Sequence, residues 1–184
     1  MPGCILPASA AAVAAGLVLA MGLAGAVEPK LAVINAPYVT TPQDVIDRML
    51  ALAGVGKNDT VYDLGCGDGR IVISAATRYG ARGVGIDIDP RRIREAVENA
   101  RKAGVSHLVE FREQDLFDAD IRDATVVTVY LLPGLQAAMR PMLERELRPG
   151  TRIVSHSFPF PGWKPERETA IQGCRIFRWT VPSR

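Results

Sequence analysis

Acidic residues follow three successive apolar runs of the sequence, where their side chains could bind a ligand. Asp63 and Asp68 bracket a glycine-rich turn in the stretch VYDLGCGDGR, residues 61–70. Asp87 ends the stretch GVGID, and Asp115 follows a third apolar run. Because the carboxyl ends of parallel strands meet at one edge of a sheet, we expect these carboxylates to surround one site. Such a site would attract a cation and repel an anion.

The glycine-rich turn distinguishes two classes of ligand. Gly65, Gly67 and Gly69 are spaced more closely than the glycines of the G-x-G-x-x-G loop that binds dinucleotides. A pyrophosphate beside Asp63 and Asp68 would be repelled by on the order of 1 to 4 kcal/mol per close pair. S-adenosylmethionine carries a sulfonium and an ammonium, and glycines would let the backbone approach its methionine and ribose. The residues therefore favour S-adenosylmethionine.

The elements that must position these residues alternate between strand and helix. The predicted strands are 60–64, 83–87, 107–112, 124–131, 152–157 and 174–181, the last of them antiparallel at an edge. The predicted helices follow residues 41, 70, 89 and 132, and the last one bends at Pro141. This order predicts an α/β fold, a Rossmann-like open, mostly parallel sheet with helices on both faces.

Capping signals predict where two of the helices begin. Thr41 is the expected N-cap of the first helix, with Pro42 at the first helical position. Asp89 and Pro90 are expected to play the same parts in the third helix. The predicted apolar face of the third helix is Ile93, Ala96, Val97 and Ala100.

Length and composition predict one domain and leave the partner open. The 184 residues are 48% hydrophobic and 23% charged, with a net charge of +2. Three scattered cysteines favour neither a disulfide framework nor a metal cluster, so no metal is predicted. The predicted parts are an apolar segment at 1–27, an extended connector at 28–40 that contributes to a cofactor lid, and a folded domain at 41–184.

The apolar segment predicts a membrane anchor or an export signal. No charged residue stands between Ile5 and Val27, and a helix of this length could cross a bilayer. Because Lys30 and Arg48 follow it, the positive-inside rule favours a membrane-anchored protein whose catalytic domain lies in the cytosol, where S-adenosylmethionine is available. One alternative is export after cleavage of a signal near Ala26. Another is a misassigned start codon.

Three motifs resemble those of a known enzyme class. VYDLGCGDGR, GVGIDID and REQDLF are similar to the first three signature motifs of class I, seven-stranded S-adenosylmethionine-dependent methyltransferases, over residues 41–184. PYVTTP, DLGCGDGRIVI and SFPFPGW resemble stretches of the small membrane-associated protein-lysine methyltransferases related to the mitochondrial enzymes that modify the ATP synthase c subunit and the adenine nucleotide translocase.

The resemblance assigns roles along the cofactor. It implies that Asp63, Gly65 and Gly67 line the methionine end and that Asp87 holds the ribose hydroxyls. It also implies that Asp115 and Leu116 meet the adenine. The residues expected to close over the cofactor from the amino-terminal side are Tyr38, Thr40 and Thr41.

Two residues at strand ends are candidates for the acceptor side. Tyr130 could guide an amine toward the methyl group, and His156 could accept a proton, although each could instead pack locally. The Asp/Asn-Pro-Pro-aromatic run of amino-directed nucleic-acid methyltransferases is missing at the fourth strand, so nucleic acid is disfavoured as a substrate. A cluster on the third helix, Arg91, Arg92, Arg94, Arg101 and Lys102, is interleaved with acids, which favours a solvated face over a phosphate-binding patch.

The leading hypothesis is methyl transfer from S-adenosylmethionine to a protein side-chain amine, with lysine as the expected acceptor and a membrane-embedded protein as the expected partner. The alternatives are methylation of a small molecule or lipid, and a membrane-tethered module that binds S-adenosylmethionine without transferring methyl.

Overall fold

The computed structural model describes residues 38–183 of the chain. The predicted apolar segment at 1–27 and most of the predicted connector lie outside the described residues. Within residues 38–183, no helix combines the length and the apolar character that crossing a membrane requires.

Seven strands and four α-helices form the described part of the chain. The strands are β1 Thr60–Leu64, β2 Arg82–Asp87, β3 Val109–Glu113, β4 Val126–Val129, β5 Arg152–His156, β6 Arg167–Ile171 and β7 Cys174–Thr180. The helices are α1 Gln43–Ala53, α2 Arg70–Tyr79, α3 Pro90–Lys102 and α4 Pro133–Glu146. A single 3-10 turn, Leu116–Asp118, lies between β3 and β4.

The strands form one sheet in the order β3-β2-β1-β4-β5-β7-β6. β1 to β5 run parallel, whereas β7 is antiparallel to both of its neighbours. The predicted mostly parallel sheet is thereby confirmed. Strand order reverses at β1, which lies between β2 and β4, so the carboxyl ends of β1 and β4 frame a crevice of the kind that binds ligands in open α/β sheets.

The carboxy-terminal strands correct the predicted edge of the sheet. β7 was expected at an edge, but it lies between β5 and β6. β6 has no counterpart among the predicted strands, because its residues Arg167–Ile171 are mostly polar or exposed, as is typical of an edge strand, and form no apolar run.

Two apolar layers cover the sheet, one on each face. On one face, Tyr62 and Leu64 of β1 belong to the same buried cluster as Leu135 and Met139 of α4. On the other face, Val61 of β1 belongs to a cluster with residues of α1 and α2. Because side chains alternate along a strand, β1 contributes to both layers. The prediction of helices on both faces is confirmed.

The ends of the helices confirm one predicted cap and correct another. Asp89 caps α3 as predicted, since its side chain accepts a hydrogen bond from Arg91 N. Pro42, not Thr41, is the N-cap residue of α1, and it makes no side-chain cap. Thr41 is buried and its hydroxyl lies 3.1 Å from His156 Nδ1 instead. Val97, predicted on the apolar face of α3, is 52% exposed.

Candidate active site

The glycine-rich turn after β1 takes a backbone shape that only glycine accepts without strain. Gly65, Gly67 and Gly69 have φ values of 85°, 54° and 77°. A Cβ on Gly67 would lie 2.6 Å from the ring of Tyr38, so a side chain there would also displace that ring. Gly67 N donates a 2.8 Å hydrogen bond to Asp87 Oδ2. The turn is thereby joined to the end of β2.

A cavity of about 340 Å³ opens beside this turn, at the carboxyl ends of β1 and β4. Its volume lies within the range of about 300 to 1,000 Å³ typical of ligand pockets. The predicted site residues that line it are Tyr38, Thr40, Asp63, Gly65, Gly67, Asp87, Leu116 and Tyr130. The structure thus brings the residues predicted to bind the cofactor, such as Asp63 and Asp87, into the same cavity as Tyr130, which was predicted to face the acceptor.

Two predicted residues lie behind the cavity wall. Asp115 is 8% exposed and does not line the cavity, although its neighbours Gln114 and Leu116 do. Asp115 Oδ1 accepts a hydrogen bond from Phe117 N, and its Oδ2 is buried without a partner among the described residues. His156 is fully buried and does not line the cavity either.

Asp63 is the most deeply buried carboxylate of the site. It is 2% exposed, and its Oδ1 accepts a 2.8 Å hydrogen bond from Thr128 Oγ1. Burial, together with the nearby carboxylates of Asp87 and Asp68, raises the pKa of Asp63 to about 7. A positive charge in the cavity would reverse part of this shift, because it would stabilise the ionised carboxylate. Asp63 is therefore suited to recognise a cation.

Asp68 was expected to present a negative charge to the ligand, but in the structure it forms an ion pair with Arg70. Although burial acts to raise its pKa, hydrogen bonds and the charge of Arg70 outweigh that effect and hold the pKa of Asp68 below its usual range. Arg70 Nε donates a 2.9 Å hydrogen bond to Asp68 Oδ1, and Arg70 Nη1 donates to the carbonyl of Thr41 at 3.1 Å. The pair fastens the segment before α1 to the turn.

That amino-terminal segment lines one side of the cavity through Tyr38, Thr40 and Thr41, the residues predicted to close over the cofactor. The guanidinium of Arg92 lies 3.7 Å from the centre of the Tyr38 ring, on its face. This is a cation–π contact between the segment and α3. Tyr38 nevertheless stays 44% exposed, so the cover is open toward solvent.

Aromatic side chains form the opposite side of the cavity. The ring of Tyr130 lies 4.0 Å from that of His156 and 6.5 Å from that of Phe158, between centroids. Burial lowers the pKa of His156 to about 4, so this histidine is neutral at physiological pH. A buried neutral histidine outside the cavity supports the ring of Tyr130 and is not placed to accept a proton from a ligand.

Two residues in or near the cavity wall, Arg92 and Gln136, are not among the predicted site residues. Arg92 was grouped with a solvated basic cluster, yet it lines the cavity and covers Tyr38. Gln136 is fully buried on α4. It shares a helical face with the buried Met139 and Leu143, and an amide on such a face was the signal that could have found it.

S-adenosylmethionine fits the residues that line the cavity. Asp87 accepts hydrogen bonds from the backbone N–H groups of Gly67 and Asp89, and no cationic side chain among residues 38–183 forms an ion pair with it. Within residues 38–183, the side chain of Asp63 accepts a hydrogen bond only from the hydroxyl of Thr128, so it too offers negative charge to a ligand. Two such acids beside a glycine turn suit a ligand with sulfonium and ammonium groups better than a pyrophosphate.

Comparison with known proteins gives a consistent family match. The ANTKMT methyltransferase domain model matches residues 63–167. A "Protein-lysine N-methyltransferase" of Saccharolobus islandicus is 46% identical over 139 residues, which cover 75% of this chain and 86% of that protein. The mouse "Adenine nucleotide translocase lysine N-methyltransferase" is 33% identical over 80% of this chain, but the match spans only 64% of the mouse protein's length.

A solved structure is similar as well. An "RNA methyltransferase" from Salinibacter ruber, crystallised with S-adenosyl-L-homocysteine, is 55% identical, with a TM-score of 0.78, over 79% of this chain and 95% of that one. The names of these relatives therefore differ in the acceptor, which is a protein in two cases and RNA in the third.

Proposed function

The chain belongs to the ANTKMT family of S-adenosylmethionine-dependent methyltransferases, and from this premise we propose that it methylates lysine side chains of proteins. The observation that carries the proposal is the two-sided cavity, with the acids Asp63 and Asp87 on one side and the ring of Tyr130 on the other. The archaeal relative named as a protein-lysine enzyme, matched over 86% of its length, supports lysine as the acceptor.

The two sides of the cavity divide the work of the reaction. When bound, S-adenosylmethionine supplies a methyl group on a positively charged sulfur, and transfer forms a C–N bond as the C–S bond breaks. Asp63 would face the positively charged methionine end of that group, and Asp87 would bind its ribose hydroxyls. Tyr130 and Phe158 offer ring surfaces to the acceptor, and such surfaces attract alkylammonium groups. Positioning of this kind accounts for most of the rate in a displacement that needs no covalent help from the protein.

The acceptor amine must lose a proton before it can react. A free lysine amine has a pKa of about 10.4, and His156, with its pKa of about 4 and its place outside the cavity, is a poor acceptor for that proton. We infer that the proton leaves to water before transfer, so the methylation rate should rise with pH through the alkaline range.

RNA is the second candidate acceptor, because the similar structure from Salinibacter ruber carries that name. The charges of α3 argue against it. Arg91 pairs with Asp89, Arg92 with Glu95 and Arg101 with Glu98, so these cations are largely compensated within the protein. Binding to a phosphate backbone relies on cations that can displace counterions.

Methyl transfer to separated acceptors would decide between the two. The full chain is incubated with tritiated S-adenosylmethionine and with extracts containing protein, RNA or lipid, and Asp87→Ala serves as the inactive control. We expect label in the protein fraction that is sensitive to protease, and methyllysine in its hydrolysate. Label that is lost on nuclease treatment instead would replace the lysine proposal with RNA methylation, and label in the lipid fraction would point to a lipid acceptor.

We also propose that the segment before residue 28 anchors the enzyme to a membrane and that the acceptor lies in or beside that membrane. The uncharged stretch from Ile5 to Val27 supports this proposal. Protease protection in intact spheroplasts tests it. A domain that survives external protease supports the cytosolic arrangement, and a domain that is digested from outside contradicts it.

A further inference from the structure

Gln136 joins two loops on the acceptor side of the cavity. Its side chain is fully buried at the start of α4. Its Nε2 donates to Ser155 Oγ at 2.8 Å, to the carbonyl of Leu131 at 3.2 Å and to the carbonyl of Phe158 at 3.3 Å. One amide thus contacts the turn between β4 and α4, the end of β5, and the loop that leaves β5.

The hydrogen-bond chemistry requires an N–H donor at this position. The carbonyls of Leu131 and Phe158 can only accept, and Ser155 Oγ already donates to Phe158 O at 2.6 Å. Gln136 Oε1 has no hydrogen-bond partner among the described residues, so all the hydrogen bonds of the amide there are made by its N–H groups. An apolar residue of the same size would leave two buried carbonyls with fewer partners.

The loops that Gln136 joins carry the two rings of the acceptor side. Tyr130 precedes Leu131, and both Tyr130 and Phe158 line the cavity with nearly parallel rings, 21° apart. The second loop starts from a strained backbone, because Ser157 has a φ of 64° and Phe158 N donates to His156 O at 2.8 Å across it. The ring of Phe158 can keep a fixed position on this loop only if other contacts hold the loop, such as the hydrogen bond from Gln136 to the carbonyl of Phe158.

We propose that Gln136 is a positioning residue that fixes the rings of Tyr130 and Phe158 relative to each other and thereby aligns the acceptor for methyl transfer. This inference rests on the proposed function only in placing the acceptor beside these rings. Gln136 does not line the cavity, so it acts through the two loops and not on the ligand. Its loss should impair alignment of the acceptor and leave the acidic side of the cavity intact.

Gln136→Met tests the inference in the full chain, because methionine has a similar length and no N–H donor. Its control is Met139→Leu, a change at a buried position one turn further along the same helix. The variant should lower kcat by about 10-fold to 100-fold, since misplacement of a reacting group by about 1 Å costs that much. Its Kd for S-adenosylmethionine, measured by calorimetry, should stay within about twofold of wild type, because the binding acids are untouched. The control should keep both values.

Hydrogen exchange gives a second measurement that does not depend on the acceptor. Amide groups of residues 131, 132, 157, 158 and 160 should exchange faster in Gln136→Met than in Met139→Leu, while those of the glycine-rich turn should not change. Equal exchange in the two variants would overturn the inference, as would a parallel loss of cofactor affinity and kcat. If the wild type labels RNA and not protein, the lysine proposal fails, and the same comparison of kcat and exchange still decides the role of Gln136.

Discussion

The two sides of the cavity are built in different ways. The cofactor side consists of Asp63, Asp87 and the glycine-rich turn. The carboxylate of Asp87 is held by hydrogen bonds from the backbone N–H groups of Gly67 and Asp89. The acceptor side consists of rings whose places depend on buried side chains from other elements, His156 and Gln136. Residues that recognise charge can therefore lie within short stretches of sequence, whereas the residues that align an acceptor come together only in the folded protein.

Replacement of Asp87 should have the largest effect, and it falls on the cofactor side alone. Asp87→Ala removes the charge and also the acceptor for Gly67 N, so the turn loses both its partner and its order. We expect the Kd for S-adenosylmethionine in calorimetry to rise by about 100-fold or more, which equals about 2.7 kcal/mol. Glu98→Ala, at an exposed ion pair of α3, is the control and should bind as wild type does. Unchanged affinity in Asp87→Ala would refute the assignment of the cofactor side.

Asp63 should make cofactor binding depend on pH. Because the pKa of Asp63 is about 7 in the free protein, its carboxylate becomes protonated as pH falls through 7, and attraction for a cation is lost. The affinity for S-adenosylmethionine should therefore fall by up to about tenfold per pH unit below 7. Asp63→Asn should bind about 10-fold to 30-fold more weakly at pH 8 and lose most of that dependence, since it cannot ionise.

The same substitution should raise the stability of the free protein. A carboxyl group whose pKa is raised by folding contributes stability that is present below its unfolded pKa of about 4 and is lost as pH rises through its folded pKa of about 7. Asp63→Asn lacks this loss, so its free energy of unfolding at pH 8 should exceed that of wild type by about 1 to 3 kcal/mol. Equal denaturation midpoints at pH 8 would show that burial of Asp63 is fully compensated.

Tyr130 tests the acceptor side. Tyr130→Phe keeps the ring that packs against His156 and removes the hydroxyl. We expect kcat to fall by about threefold to tenfold with the Kd for S-adenosylmethionine unchanged, because one hydrogen-bonding group is lost on that side only. Trp163→Phe, outside the cavity lining, is the control. If Tyr130→Phe instead weakened cofactor binding as strongly as it slowed transfer, the division between the two sides would not hold.

Tyr38 lies on the cover of the cavity and should show the smallest effect. Tyr38→Phe keeps the ring beneath Arg92 but loses the hydroxyl, which helps to hold the pKa of Asp68 below its usual range. Since Tyr38 is 44% exposed, we expect the Kd for S-adenosylmethionine to rise by no more than about threefold. A rise beyond tenfold in calorimetry would mean that the hydroxyl contacts the cofactor directly.

The sequence was sufficient for the parallel half of the fold and for the cofactor side. Strands β1 and β2 are short, mostly buried runs, and Asp63 near the end of β1 and Asp87 at the end of β2 are placed at the sheet edge by their positions along the chain. β6 could not be found because an edge strand needs no apolar pattern. With β6 missing, β7 was placed at the edge that β6 occupies.

The acceptor side could be predicted only in part. Tyr130 could be predicted as a site residue because it follows a strand. The role of His156 could not, because it depends on burial, which lowers the pKa of His156 and keeps its side chain out of the cavity. Gln136 acts on Ser155 and Phe158, which are 19 and 22 positions away along the chain. Contacts of that kind appear only when the helix has packed against the sheet.

The interior position of β7 has a consequence for the order in which the protein folds. β7 follows the other six strands in the sequence, yet it lies between β5 and β6. Its residues Phe177 and Trp179 are buried, and the ring of Trp179 packs against Phe160. During synthesis the first four strands can pair before β7 has left the ribosome, whereas the β5 side of the sheet must wait for it. We expect nascent chains that stop before Cys174 to expose that half of the apolar core and to engage chaperones.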